Sequence, residues 1–103
     1  MQKYYNTEKG CHTCKKPNYI LKNILFEDDL VTLHRDLKRR PFIICTPIKH
    51  YHLVNDVPPE TLYRMFYIIQ NYMDTNNING YSILFNNGNW QRHHHFHIKV
   101  KYT

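Results

Sequence analysis

The chain has 103 residues, 42% of them hydrophobic and 15% aromatic, and a formal net charge of +6. That length fits one small domain with a single modest core, and the composition argues against disorder. No apolar run approaches the roughly 18 residues that cross a bilayer, and the polar start Met1-Gln-Lys-Tyr-Tyr-Asn has no secretion-signal core, so an intracellular, cytoplasmic protein without a membrane partner is expected.

Taken in chain order, residues 1–10 read as a polar, loose segment, and 11–103 as the folded domain. Cys11-His-Thr-Cys14 reads as a knuckle or short helical turn that Pro17 ends. Ile20, Leu21, Ile24, Leu25 and Phe26 supply apolar material that finishes in a short strand. Glu27-Asp28-Asp29 is a turn, Leu30 to His34 a strand, and Pro41 opens a further strand from Phe42 to Thr46. Pro58-Pro59-Glu60 starts a helix, in which Leu62, Met65, Phe66, Ile69, Tyr72 and Met73 recur three and four residues apart as a core-facing stripe. Tyr81 to Phe85 is a strand, Asn86-Asn87-Gly88 a turn, and a last strand closes the chain. The sum is an α+β domain, an antiparallel sheet of about five strands with one long helix packed on it. No repeat or low-complexity linker divides it.

The three cysteines are an odd number, which disfavours a disulfide framework. Cys45 reads as a small buried hydrophobe, and the Cys11-x2-Cys14 pair suits either metal or redox chemistry. The positive charge favours an anionic partner, and Lys38-Arg39-Arg40 is the one dense basic run, read as a solvated turn.

Four of the eight histidines crowd into residues 93–97. With the period of a β-strand, His93, His95, His97 and Lys99 share one face, while His94, Phe96, Ile98 and Val100 share the other. Imidazoles presented about 6–7 Å apart build a site better than a core. Near neutral pH imidazole is both a nucleophile and, once protonated, an acid, which suits phosphoryl transfer. Metal binding and a pH-sensitive interface are the rival uses. His12, His34 and His52 are expected at the surface or in loops, Arg92 as a solvated charge, and Trp90 buried against the sheet edge rather than stacked on a base.

The stretch from Asn86 to Val100 resembles the signature of the histidine triad (HIT) superfamily, in which an Asn-x-Gly turn leads through a glutamine-containing loop into alternating histidines. Glu27-Asp28-Asp29-Leu30-Val31 resembles that family's acidic turn, and Pro41 to His50 resembles its strand ending in Pro-Lys-x-His. Val54 to Glu60 with the following helix, and Cys11-x2-Cys14 as the zinc knuckle of bacterial members, match in order. The likeness runs from about residue 11 to 101.

The resemblance implies a nucleotide hydrolase or nucleotidyltransferase working at the α-phosphate through a nucleotidyl-histidine. Two registers fit. In one, His93, His95 and His97 are the triad and His95 attacks, with His94 where an apolar residue belongs. In the other, Gln91 matches the family's glutamine, His95 is first, His97 attacks, and Lys99 replaces the third histidine. The second is favoured: it needs the smaller deletion after Gly88 and puts Phe96, Ile98 and Val100 at apolar positions. A lysine at that place puts a positive charge where the family has an imidazole, the side chain suited to proton transfer near neutral pH. Asn86, Gln91 and Lys99 are the implied substrate contacts.

The bacterial members also imply structural zinc on Cys11, Cys14, His50 and His95, His50 being otherwise a hydrogen-bonded member of the active-site cluster. Nucleotides or nucleotide conjugates are the implied partners, with a homodimer that extends the sheet. The rival reading is a zinc-stabilised module of the same fold that binds nucleotides or nucleic acid without turning them over.

Overall fold

The computed structural model describes residues 11–36 and 41–102. The 1–10 segment and the basic run at Lys38-Arg39-Arg40 lie outside the described residues. Two single-turn helices, α1 (His12–Lys15) and α2 (Asn18–Leu21), precede strands β1 (Ile24–Glu27), β2 (Val31–Arg35) and β3 (Phe42–Pro47). A short 3-10 turn (Val54–Asp56) leads to α3 (Pro59–Thr75), then β4 (Tyr81–Leu84), a second 3-10 turn (Gly88–Trp90) and β5 (Ile98–Tyr102). The strands form one five-stranded sheet in the order β1-β2-β3-β5-β4. Every neighbouring pair is antiparallel, as the sequence predicts for β4 and β5.

Local chemistry explains the turns. The Asp28 carboxylate accepts the backbone N–H groups of Leu30 and Val31 at 2.9 and 2.8 Å, closing the acidic turn between β1 and β2. Its other oxygen takes the Arg64 guanidinium at 2.9 Å, which ties the turn to α3. Proline at the first position and Glu60 in the first turn suit the start of α3. Asn77, at φ 58, reverses the chain at the other end, where the Ile78 N–H reaches back to the Met73 carbonyl.

One face of the sheet presents Val31, Leu33, Ile43, Cys45, Ile98 and Val100 to Met65, Ile68, Ile69 and Met73 of α3. Cys45 is fully buried, as expected, and burial pushes its thiol well above the ordinary range, so it packs as an inert hydrophobe. The helix is rotated from the predicted stripe: Ile68 enters the core, whereas Phe66 is 38% exposed. The opposite sheet face carries the alternate residues. Register places His34 opposite Ile44, and Ile44 opposite Lys99, in one row across three strands.

Three expectations are corrected. The histidine segment is not a strand, because residues 92–95 bend and β5 starts only at Ile98. His95 and Phe96 are consecutive and both buried, which strand alternation forbids, and the Phe96 N–H bonds to the Tyr51 carbonyl at 2.7 Å rather than to a strand. Trp90 is 78% exposed instead of packed on the sheet edge. His34 is buried within β2, not superficial.

Candidate functional site

Cys11 and Cys14 are three residues apart across the first turn of α1, so their side chains fall on one side of it. The Lys15 N–H closes that turn on the Cys11 carbonyl, and Lys16, at φ 47, turns the chain out of it before Pro17. His50 lies just beyond the end of β3, and His95 in the bend before β5. The four ligand atoms converge within 4.8 Å of one another. The His95 Nδ1 is 3.4 Å from both sulfurs, and the His50 Nδ1 is 3.4 Å from Cys14. Thiolate at 2.3 Å and imidazole at about 2.05 Å around a tetrahedral ion would stand about 3.5 Å apart. The spacing of the donors therefore fits a Cys2His2 metal centre.

The surroundings fit as well. The His95 Nε2–H donates to the Pro47 carbonyl at 2.8 Å, which leaves the lone pair on Nδ1, facing the sulfurs. Burial drives the His95 imidazole down to about 4, against the upward pull of that hydrogen bond; His50, His97 and Lys16 add to the downward push. A neutral ring with a fixed tautomer is what a metal ligand requires. The rings of His50 and His95 meet edge to face at 4.9 Å.

Two residues on, His97 is half-buried, and its Nδ1–H donates to the His95 carbonyl at 3.2 Å. That places its lone pair on Nε2. Burial lowers its pKa, the bond to His95 opposes this, and the charges of His93, Lys99 and His34 lower it further. His93 is exposed, its ring 6.0 Å from that of His97. Lys99 stands over the Phe42 ring at 5.0 Å. The structure thus groups His93, His97 and Lys99 with His34, a residue that sequence reasoning set aside. The signal for His34 was its alternation with Val31 and Leu33, which puts it on the face away from the helix.

Gln91 is buried and bonded on both sides of its amide. Its oxygen accepts the Gly88 N–H at 2.8 Å, and its nitrogen donates to the carbonyls of His52 and His93 at 2.8 and 3.1 Å. It clamps the loop that carries the histidines. Asn86 is exposed, while the neighbouring Asn87 accepts the Val54 N–H at 2.9 Å and ties the two loops together. His52, expected to be superficial, stacks on His94 with ring centres 4.5 Å apart.

No family model matches the sequence, and no curated protein matches it. Solved structures do. A histidine triad protein from Clostridium difficile is 23% identical with a TM-score of 0.70, over 79% of this chain and 78% of that one. A HIT family hydrolase from Legionella pneumophila Philadelphia 1 is 24% identical with a TM-score of 0.69, over 77% of this chain and 79% of that one. A Hit-like protein, 18% identical, matches with a TM-score of 0.73 over 100% of this chain and 99% of its own. The chain has the histidine triad fold.

Proposed function

We propose that this chain is a HIT-like nucleotide hydrolase or nucleotidyltransferase in which His97 is the nucleophile. One observation carries the assignment: the His95 ring faces two sulfurs while its backbone carbonyl fixes the tautomer of His97. A histidine held among Cys11, Cys14 and His50 suits a ligand, and one with a fixed Nδ1–H and a lone pair on Nε2 suits attack on phosphorus. His97 Nε2 bonds to the α-phosphorus as the bond to the leaving oxygen breaks. Water then cleaves the nitrogen–phosphorus bond and releases the nucleoside monophosphate. Lys99 supplies positive charge beside the transferring group, and His93 flanks it.

Zinc is the ion that the Cys2His2 set fits best, with Cys11, Cys14, His50 and His95 as ligands. When bound it is structural, pinning α1 to the sheet and fixing the backbone of His95. A homodimer is favoured by the half-exposed apolar edge at Ile83, Leu84 and Phe85 and by exposed Tyr63 and Tyr67 on α3. A cytoplasmic location fits such a nucleotide enzyme, and among the described residues no helix is long and apolar enough to cross a membrane.

The test is turnover of a panel of adenylated substrates. His97→Ala should lower it by about 10³-fold or more. Full activity in that variant, with loss in His95→Ala, would move the nucleophile to His95. Lys99 supports the second reading, a zinc-stabilised nucleotide- or nucleic-acid-binding module, because it removes a near-neutral proton donor. Tight nucleotide binding with no product on long incubation would select that reading.

A further inference from the structure

The four residues of the Cys2His2 cluster are not held alike. Cys11 and His95 form an inner pair, 4% and 1% exposed, whereas Cys14 and His50 are half-buried and form an outer pair. The two histidines differ further at the ring nitrogen that does not approach sulfur. In His95 that nitrogen is an N–H that donates to the Pro47 carbonyl at 2.8 Å, at the end of β3. In His50 the Nδ1 approaches Cys14 at 3.4 Å, so the tautomer that offers this lone pair carries its proton on Nε2. The His50 Nε2 is buried and finds no hydrogen-bond partner among the described residues.

The two rings therefore have opposite energetics as they leave the cluster. Swinging His95 away breaks its bond to Pro47 and opens a space in the interior. Swinging His50 away gives up the contact with Cys14 and lets a buried, unmatched N–H reach water, which relieves a penalty of the closed arrangement. The backbone does not have to follow. The next residue, Tyr51, keeps its carbonyl on the Phe96 N–H at 2.7 Å, so the His50 side chain moves alone. An outer hydrogen-bond partner to a ligating imidazole is worth about 10–100-fold in metal affinity, and of the two rings it is His95 that has one.

We infer that the centre has three fixed ligands, Cys11, Cys14 and His95, and one exchangeable ligand, His50, whose place a small external thiolate takes. The inference rests on the Cys2His2 reading given above. Thiolate is the fitting class because the borderline-soft ions that this donor set selects bind sulfur well. In the exchange the His50 Nδ1 withdraws with its lone pair, the incoming sulfur supplies another, and the thiol proton passes to solvent; nothing is oxidised or reduced. Metal is then loaded and removed on the side of Cys14 and His50, without unfolding of α1.

Cobalt(II) in place of zinc makes the ligands visible by absorption. Wild type, His50→Ala and His95→Ala are loaded with cobalt(II) and titrated with a chromophoric chelator. His50→Ala should keep the sulfur-to-cobalt charge-transfer band, and its loss of affinity should be smaller than that of His95→Ala by about tenfold or more. Added 2-mercaptoethanol should strengthen the band in His50→Ala as a third cobalt–sulfur bond forms. Equal losses in the two variants, or a band in His50→Ala that the thiol leaves unchanged, would overturn the inference. His95→Ala empties a buried site and can unfold the chain, so a second measurement uses the zinc-loaded wild type. Nitrogen–proton NMR of its imidazoles should show the His95 Nε2–H exchanging with water about tenfold or more slower than that of His50. A His50 Nε2–H as persistent as that of His95 would overturn the inference whatever the variants do. A wild type that takes up no cobalt, or a Cys14→Ser variant that binds it as tightly as wild type, would sink the Cys2His2 centre and the exchange with it. Cobalt bound through both sulfurs with equivalent histidines would leave the centre standing and sink the exchange alone.

Discussion

His95 and His97 are two residues apart, yet the fold treats them in opposite ways. His95 is 1% exposed and engaged at both ring nitrogens, by the Pro47 carbonyl on one side and two sulfurs on the other. His97 is only half-buried, anchored through Nδ1, and surrounded by His93, His34 and Lys99. A ring with both nitrogens committed can hold a structure together but has nothing left for a substrate. A ring anchored at one nitrogen keeps its direction and tautomer while the other nitrogen does chemistry. On the proposed assignment, neighbouring histidines divide structural and catalytic work, with the carbonyl of the first orienting the second.

Removing a thiolate should break the structural side most severely. Cys14→Ser is expected to lose the metal and on the order of 3 kcal/mol or more of stability, read as a fall in thermal midpoint. A chelator should lower the midpoint of the wild type and leave that of the variant in place. An equal chelator response in both would detach stability from this cluster.

On the side proposed to be catalytic, Lys99→His places an imidazole, a proton donor near neutral pH, beside His97. General acid catalysis contributes about 10²–10⁴-fold, so turnover of an amine-leaving phosphoramidate should rise by about 10²-fold. Steady-state kinetics in which that substrate stays as slow as in wild type would show that Lys99 is not what limits it.

The clamp between the two regions comes next. Gln91→Leu leaves the Gly88 N–H and the carbonyls of His52 and His93 without their partner, at a cost of about 2 kcal/mol. Denaturant unfolding should register the loss, and KM should rise as the loop slackens. Unchanged stability would mean that water replaces the amide.

The smallest effect is a pH slope. Burial holds His34 below its ordinary value of 6.5, with the Arg35 carbonyl and Asp36 pulling the other way. The unfolded chain therefore takes up a proton at higher pH than the folded one. The contribution of neutral His34 is complete above about pH 6.5 and is lost as pH falls through the lower folded value. His34→Gln should flatten the fall in stability between pH 6.5 and 5, measured as unfolding midpoints against wild type. An identical slope in the variant would clear His34 of the effect.

Much of this fold was legible in the residues because local signals agree with it. Pro58-Pro59-Glu60, the Asp28 turn and the β-branched runs mark element ends and types that tertiary packing did not override. The four metal-site residues came from resemblance, and their convergence is a three-dimensional fact that spacing across 84 positions cannot supply. The histidine segment misled because its alternation imitates a strand. Its backbone is instead captured by Tyr51, from a loop more than forty residues earlier in the chain. The Gln91 clamp was hidden for the same reason, since one of its partners is the His52 carbonyl, 39 residues earlier in the chain. The small rotation that exchanges Phe66 for Ile68 reflects how α3 seats on the sheet, which a period of 3–4 residues leaves open.

The division between the two histidines is tested most directly by trapping the covalent intermediate. The protein is quenched during turnover of an adenylated substrate, digested under conditions that preserve phosphorus–nitrogen bonds, and the nucleotidyl group is located by mass spectrometry. The adduct should sit on His97. An adduct on His95 would contradict the account, since that ring would then be a nucleophile and not a ligand.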